Sequence, residues 1–327
     1  MSVDNLSRWS HAAFPSYDRD GRDVLVVVVG ATFDIPLPST TAPRPSATQP
    51  AVPLEDRYFA HAGSSGLTQV AQTAYVRPGA DVYVRGSIRC EHPLTARELR
   101  LEVGELCLES WVVGDRRWER SLSGWHATEP EPFEAMPIAW ERCYGGPREG
   151  RNLVGCHPPR GELAGRPLPN FEAHGALIQT PKDRRDPVGF GPVPPQWQPR
   201  LGHAGTYDES WQRDRAPYWP ENLDLRFFHA APPRLRRGCL RGGEAIVLGG
   251  FLPGPARCFE LPRVRMQLKY RAREGIRRRL MRVDGLEIDL DRETVTLYAR
   301  HSIDLEDGLG KFEIATLREL QDWEADP

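Results

Sequence analysis

The chain has no long hydrophobic run. Of its 327 residues, 39% are apolar, and no stretch approaches the ~20 apolar residues that a membrane helix needs. The N-terminal segment also lacks the charged-then-apolar pattern of a secretory signal peptide. We therefore expect a soluble, cytoplasmic protein without a membrane partner.

The chain also lacks an excess of charge of either sign. Its formal net charge is −2, so no global field attracts nucleic acid. The densest charge cluster is the basic run from Arg271 to Arg279, which has neither the interleaved aromatics nor the basic surroundings of a nucleic-acid site. We interpret this run as a solvated hairpin tip, with contact to an acidic partner as the alternative.

Metal-binding and catalytic motifs are missing as well. The six cysteines are spread singly, without C-x-x-C or zinc-finger spacing, and the nine histidines form no H-E-x-x-H pattern. Cys143 stands beside Glu141, with Cys156 and His157 shortly after it. Adjacency supplies neither the lowered pKa nor the positioned base that a nucleophile needs. The sequence therefore predicts no catalytic residue, no metal and no cofactor.

Long helical patterns are scarce, whereas 31 prolines and 30 glycines indicate short strands and many loops. The continuous run Val24–Val29 predicts a strand covered on both faces. Segments that alternate between apolar and polar residues predict β-meanders. The expected hairpins join residues 98–103 to 106–110 and residues 286–290 to 294–303. A further hairpin is expected to join Trp118–Ser121 to the strand before it. A single strand is expected over 257–271, a turn at Asp284-Gly285, and a helix over 312–323.

These patterns predict a mainly β protein. We expect a β-sandwich or meander sheets with long Pro/Gly/aromatic-rich loops and one short C-terminal helix. Residues 1–327 are interpreted as a single domain, with sub-lobes at 1–150 and 176–327 as a further division. Residues 36–53 are small, polar and proline-rich. They offer almost nothing to bury, so we expect a flexible loop there.

Residues 186–241 form the most unusual segment, which we call the belt. Nine prolines fall between Pro187 and Pro233, interleaved with many aromatic residues. Proline excludes a helix interior or a central strand, and large rings can hold an irregular segment on an underlying surface. We predict an extended belt laid across a β-sheet core. The candidate partner-binding aromatics in and near it are Trp140, Tyr144, Phe190, Trp197, Tyr207 and Trp211.

Several blocks of the chain together resemble a known family. They are Asp20-Gly21-Arg22-Asp23, Ala80-Asp81-Val82, Glu141 to Gly146, Asn152 with Gly155, Pro169 to Glu172, Gly189 to Pro192, Trp197 to Arg200, Gly205 to Asp208, Phe227 to Pro232 and Leu240 to Glu244. In this order they resemble a bacterial domain-of-unknown-function family encoded beside type VI secretion effectors. The resemblance implies an adaptor or chaperone that loads a toxic effector onto the secretion spike. The implied partners are the secreted effector and the PAAR or VgrG component of the spike.

An enzyme is the alternative. A β fold with a tryptophan-rich cleft is compatible with a hydrolase or a carbohydrate-active protein. That function requires two carboxylates that converge at ~5–10 Å. The candidates are Glu141, Glu172, Asp208 and Glu244, and their spacing in sequence does not show convergence.

Overall fold

The computed structural model describes residues 2–38, 42–144, 163–183, 185–272, 275–305, 314–321 and 323–326. The described chain is mainly β, as the sequence predicts. Its first strands are β1 (Ser2–Asn5), β2 (Ser10–Tyr17), β3 (Asp23–Asp34), β4 (Arg44–Pro45), β5 (Arg57–Tyr58), β6 (Leu67–Gln69), β7 (Ala80–Arg85), β8 (Ser87–Leu94), β9 (Ala96–Val103), β10 (Leu106–Val113), β11 (Trp118–Ser121), β12 (Gly124–Ala127) and β13 (Phe133–Pro137).

The later elements follow the same style of short strands and tight turns. The remaining strands are β14 (Phe171–Ala173), β15 (Arg236–Arg237), β16 (Ala245–Gly249), β17 (Arg257–Glu260), β18 (Met266–Ala272), β19 (Gly275–Leu280), β20 (Arg282–Asp289), β21 (Thr294–Asp304) and β22 (Ile314–Glu319). The α-helix in the described part is α1 (Glu209–Asp214), and single 3-10 turns occur at Trp140–Arg142, Leu201–His203, Leu225–Phe228 and Pro233–Leu235. Gly145, Gly146, Asn152, Gly155, Cys156, His157 and Phe312 lie outside the described residues.

The largest sheet has seven strands in the order β15-β7-β20-β21-β3-β2, with β4 added beside β3. Strand β3 pairs with β2 along one side and with β21 along the other. Its valines from Val24 to Val29 are fully buried, so the prediction of a strand covered on both faces is confirmed. Successive side chains of the strand point to opposite faces of the sheet. One face contributes Leu25, Val27 and Val29 to the main hydrophobic core, and the other contributes Val24, Val26 and Val28 to a second core.

Two further sheets pack on one face of the seven-stranded sheet. One has five strands in the order β14-β10-β9-β16-β17, and the other has four in the order β1-β22-β18-β19. A single hydrophobic core contains residues of all three sheets, such as Val27, Leu101 and Leu268. We call this face of the seven-stranded sheet its inner face.

The opposite, outer face is covered by loops. Val52 is buried against Val24, Val26 and Val28, and the side chain of Gln49 bonds both the N–H and the C=O of Thr32 at 3.0 and 2.8 Å. The expectation that residues 36–53 have almost nothing to bury is therefore wrong at their C-terminal end. Within the described part of this segment, only Arg44–Pro45 pairs as a strand.

The belt is irregular, as predicted, and it is bonded to the sheet. The amide of Val84 on β7 donates to the carbonyl of Phe190 in the belt at 2.9 Å. Within the belt, the amide of Val193 donates to the carbonyl of Ala230 at 2.7 Å. The ring of Phe190 meets that of Phe251 edge to face, with centroids 5.0 Å apart. Main-chain bonds and buried rings together fix a segment that has little regular secondary structure.

The predicted C-terminal helix is wrong. Residues 314–319 form β22, which pairs in parallel with β1 and antiparallel with β18. Ala315 and Leu317 are buried while Ile314 is exposed, which is the period of a strand. Leu317 and Leu320 also fit a helical spacing. Strand β1, near the N-terminus, pairs with this segment, and that pairing favours a strand over a helix.

Three smaller predictions also fail, while two hairpins are confirmed. Hairpins β9–β10 and β20–β21 form as expected. Strand β11 pairs with β12 instead of returning along β10. The expected strand over 257–271 breaks near Pro262 into β17 and β18, which lie in different sheets. Asp284-Gly285 is an irregularity inside β20 instead of a turn, so the strand continues through it.

Replacing Phe190 with Ala should destabilise the protein by about 3–5 kcal/mol, because a fully buried ring would leave a cavity against Phe251. Denaturant unfolding measures the loss. Phe59→Ala is the control, since that ring is exposed and its removal should change stability little. Equal stability of the two variants would show that the belt does not help to hold the fold.

Candidate functional site

The outer face of the seven-stranded sheet carries a buried group of charges, which we call the charged layer: Arg77, Asp81, Asp284 and Arg300. Arg77 lies 3.6 Å from Asp81 and 3.5 Å from Asp284, and Arg300 lies 2.7 Å from Asp284. Buried ions are tolerated only when they are paired and their remaining hydrogen bonds are made. The two arginines and two aspartates pair with one another, so the requirement for ion pairing is met within the charged layer.

The belt supplies many of the remaining hydrogen bonds. Arg77 Nε donates to the carbonyl of Phe228 at 3.1 Å, the amide of Ala230 donates to Asp81 at 2.7 Å, and His229 Nδ1 lies 2.6 Å from the same carboxylate. Arg300 donates to the carbonyl of Gln72 at 2.7 Å. The charged layer therefore ties the belt and the loop that contains Gln72 to the sheet.

The pKa of Asp81 reflects this arrangement. Burial alone raises the pKa of a carboxyl group. The hydrogen bond with His229 and the positive charge of Arg77 outweigh burial and hold the pKa of Asp81 below its ordinary value. Asp81 is consequently an anion at neutral pH, which is the state that Arg77 and the Ala230 amide require.

A second polar cluster continues along the same face on β7 and β20. Tyr83 donates to Glu287 at 3.0 Å, and Arg85 contacts Glu287 at 2.6 Å and Asp289 at 2.7 Å. Burial, and then the neighbouring Glu287, raise the pKa of Tyr83 well above its ordinary value. The Tyr83 hydroxyl therefore stays protonated and acts as a donor.

A surface groove opens where the belt crosses the turn after β2. It consists of two adjoining clefts of about 560 and 360 Å³ that share Asp18 and Tyr75. Arg19, Arg215 and Glu221 line the first cleft, and the second reaches the charged layer at Arg77, Asp284 and Arg300. We call this the belt groove. Its exposed wall carries charges of both signs.

Hydrogen bonds between side chains and main-chain groups fix both sides of the belt groove. The amide of Arg19 donates to the Tyr75 hydroxyl at 3.0 Å, and Arg215 donates to the carbonyl of Arg19 at 2.7 Å. Trp219 Nε1 donates to the carbonyl of Tyr17 at 3.1 Å. The groove is thus formed before any ligand arrives.

An aromatic pair lies beside this wall of the groove, formed by Tyr207, which precedes helix α1, and Trp211 within the helix. Asp208 caps the helix by accepting from the amide of Trp211 at 2.8 Å, and the residue that follows the helix is Arg215 of the groove. The rings of Tyr207 and Trp211 meet edge to face, with centroids 4.7 Å apart. Trp211 Nε1 donates to the carbonyl of Tyr218 at 2.9 Å, while Tyr207 is 51% exposed.

The six aromatics singled out in the sequence thus divide into two groups. Trp140, Tyr144, Phe190 and Trp197 are at most 4% exposed, and they pack the interior. They offer no surface to a partner in this conformation. Tyr207 and Trp211 lie together at the surface and stay candidate anchors.

Sequence reasoning missed the charged layer. Asp81 lies between the apolar residues Ala80 and Val82 of β7, and Arg300 directly follows the buried stretch Leu297-Tyr298-Ala299 of β21. A charge inside a strand that is covered on both faces must be paired. That signal was present in the sequence, but the identity of the partners was not.

Two of the enzyme candidates, Cys143 and Glu172, are buried in the fold. Burial raises the pKa of the Cys143 thiol, and Glu141 raises it further, so the thiol stays protonated. A nucleophilic cysteine needs the opposite shift. Glu172 is buried in an ion pair with Arg116.

The other two carboxylates lie on separate elements. Asp208 caps α1, and Glu244 accepts from the amide of Arg241 at 2.8 Å. Cys156 and His157 lie outside the described residues. In the part of the chain that the structure describes, no three metal-ligating side chains gather into a site. No helix there has both the length and the apolar character to cross a membrane.

Fold and site together define a mainly β protein whose largest sheet is covered by a belt that also forms a surface groove. The chain belongs to the family described as an uncharacterized protein conserved in bacteria (DUF2169), whose model matches residues 20–300. The match includes the charged layer and the entire belt. No curated protein matches the chain, and no solved structure matches it.

Replacing Asp81 with Asn tests the charged layer. The folded-state pKa of Asp81 is depressed, so its ionisation contributes stability above pH ~4 that is lost as the pH falls through the folded pKa. Asp81→Asn should cost about 3–5 kcal/mol at pH 7, since Arg77 loses one of its two buried counter-ions.

The difference between wild type and Asp81→Asn should then shrink as the pH is lowered toward 3. Unfolding titrations across this range measure it. Asp20→Asn, at an exposed aspartate, is the matched control and should follow the wild type. A constant difference at every pH would contradict the ionised state assigned to Asp81.

Proposed function

We propose that this protein is an adaptor of type VI secretion. It binds a toxic effector, or the PAAR-containing N-terminal region of one, and helps to load it onto the VgrG spike. In this proposal it acts in the bacterial cytoplasm and releases its partner chemically unchanged. The order of the sequence blocks supports the assignment, because it resembles that of proteins encoded beside such effectors.

The observation that carries the proposal is the Tyr207–Trp211 pair beside the belt groove, in which Tyr207 is exposed and Trp211 is half-buried. Aromatic rings supply large contact areas at interfaces. Asp208 caps the helix that bears Trp211, and Trp211 is fixed by its bond to Tyr218. A preformed surface of this kind loses little conformational entropy on binding.

The groove adds polar recognition to this aromatic contact. Asp18 and Glu221 offer acceptors, while Arg19 and Arg215 offer donors that are already oriented by their bonds to the backbone. A polypeptide carries donors and acceptors along its whole length. The mixed lining therefore suits a protein segment better than an anion or a uniformly apolar ligand.

The direct experiment is affinity purification of the tagged full-length protein from its native cell. We expect an effector or a PAAR-bearing protein to co-purify, and its secretion to stop when the adaptor gene is deleted. Normal secretion without the gene, or a catalytic turnover of the partner by the purified protein, would contradict the proposal.

Tyr207→Ala should weaken partner binding by roughly 2 kcal/mol, which is the scale of an interface anchor. Stability should hardly change, because the ring is half exposed. Trp323→Ala is the matched control, since it removes another exposed ring, and it should leave the affinity unaltered. Isothermal titration and thermal melting on the same samples separate the two effects. Unchanged affinity of Tyr207→Ala would exclude the aromatic pair as an anchor.

Cys143→Ala and Glu141→Gln separate the adaptor from the enzyme alternative. We expect both variants to deliver the effector normally once they have folded, because neither residue takes part in binding in this proposal. Secretion assays report delivery, and hydrolase assays on the same preparations report turnover. An activity that disappears in either variant while delivery persists would make the protein an enzyme.

A further inference from the structure

Strand β19 forms one edge of the four-stranded sheet. It pairs with β18 in unbroken register, from Gln267 opposite Leu280 to Ala272 opposite Gly275. Among the described residues, no strand pairs with its other side. The edge contains neither a proline nor a bulge, which are common devices that stop an edge from pairing.

The backbone groups of this edge point outward in a defined alternation. The amide of Met281 donates to the carbonyl of Met266 at 2.8 Å, in register with the hairpin. In antiparallel pairs every second residue bonds to the neighbouring strand. Arg279 and Arg277 therefore bond toward β18, whereas the N–H and C=O of Ile276, Arg278 and Leu280 face away from it.

The side chains of the same three residues are exposed on one face. Ile276 is 63% and Leu280 38% exposed, and the exposed Arg278 lies between them, with exposed Lys269 opposite it on β18. Arg279 is exposed on the other face. The Arg278 carbonyl accepts a long hydrogen bond of 3.4 Å from the exposed side chain of Arg279, which an added strand would displace. The edge thus combines a backbone without a neighbouring strand, two aliphatic contacts and positive charge.

The positive charge selects among possible occupants of the edge. A second copy of β19 would bring arginine close to arginine, and like charges opposite each other destabilise a strand pair. Charged edge strands resist self-association in this way. A strand with carboxylates at the matching positions would instead be attracted.

We propose that β19 binds an extended acidic segment of the partner protein and adds it to this sheet as a fifth strand. The proposal rests on the adaptor function above and names the chemistry of what is held at this edge. The segment has apolar residues opposite Ile276 and Leu280 and carboxylates opposite Arg278 and Arg279. Its backbone bonds to the three outward-facing residues of β19.

Two peptides with blocked ends test the charge and strand requirements on the full-length protein. One contains Val-Glu-Glu-Thr-Val, which in antiparallel pairing places its valines opposite Leu280 and Ile276 and its glutamates opposite Arg279 and Arg278. The other contains Val-Lys-Lys-Thr-Val, and fluorescence anisotropy measures the binding of both. The acidic peptide should bind, with an affinity that falls as salt is added, and the basic peptide should not. Equal binding of the two peptides, or no binding of the acidic one, would overturn the proposal.

Two variants at Arg278 distinguish the contribution of the side-chain charge to peptide binding from that of main-chain hydrogen bonds. Arg278→Ala removes one ion pair and should weaken the acidic peptide about threefold. Arg278→Pro also removes an N–H that faces away from β18, so the sheet keeps its own bonds. Binding should then fall by a further ~10-fold or more, because the added strand loses a main-chain bond and meets the proline ring. Equal affinities of the two variants would exclude strand addition here.

A charge reversal keeps the test decisive if the proline variant does not fold. Arg278→Glu combined with Arg279→Glu should reject the acidic peptide and accept the lysine peptide. Undiminished binding of the acidic peptide to this double variant would overturn the proposal.

The same double variant separates this inference from the adaptor function itself. If a partner co-purifies with the wild type and is lost with the double variant, both stand. A partner that is retained by the double variant overturns the edge site and leaves the adaptor function intact. If no partner co-purifies with the wild type, the adaptor function fails, and the peptide titration still decides whether β19 accepts an acidic strand.

Discussion

The burial of four charges on one face of a β-sheet is the constraint on which the rest of this structure depends. Arg77, Asp81, Asp284 and Arg300 lie where water is excluded, so each needs a partner of opposite charge and further hydrogen bonds. Removing one member of such a group leaves an uncompensated ion, at a cost of about 3–5 kcal/mol. The belt cannot leave the sheet without exposing these groups or breaking their bonds to Phe228 and Ala230.

Held in this way, an irregular segment can serve as a rigid part of the surface. Buried rings such as Phe190 supply much of the apolar contact, while the charged layer and the main-chain bonds set the position of the belt along the sheet. The same segment then carries Tyr207 and Arg215 to the groove. Proline-rich, aromatic-rich sequence is therefore compatible with a well-defined binding surface, provided that the sheet beneath supplies polar partners.

Local patterns allowed much of the fold to be predicted. The valine run, the hairpins β9–β10 and β20–β21, and the irregular belt follow from the spacing of residues that are close in sequence. The C-terminal segment was mispredicted because Leu317 and Leu320 fit both a helix and a strand, and the choice depends on β1 at the opposite end of the chain. Short segments with ambiguous periodicity are decided by such distant partners.

The candidate site was harder to predict for the same reason. The sequence drew attention to aromatic residues, but it did not distinguish Trp140 and Trp197, which are buried, from Tyr207, which is exposed. Arg77 and Asp284 are separated by 207 positions, so no local pattern shows that they pair. A strand lies at the edge of a sheet when only one other strand pairs with it. Local sequence does not show the order of the strands in a sheet, so the position of β19 at an edge could not be predicted.

Hydrogen–deuterium exchange of the full-length protein, alone and with its co-purified partner, tests the central claim most directly. We expect the amides of residues 205–221 and of Ile276, Arg278 and Leu280 to become protected when the partner binds, while the exchange of β3 is unchanged. Protection elsewhere, with the belt groove and β19 exchanging as fast as in the free protein, would contradict it.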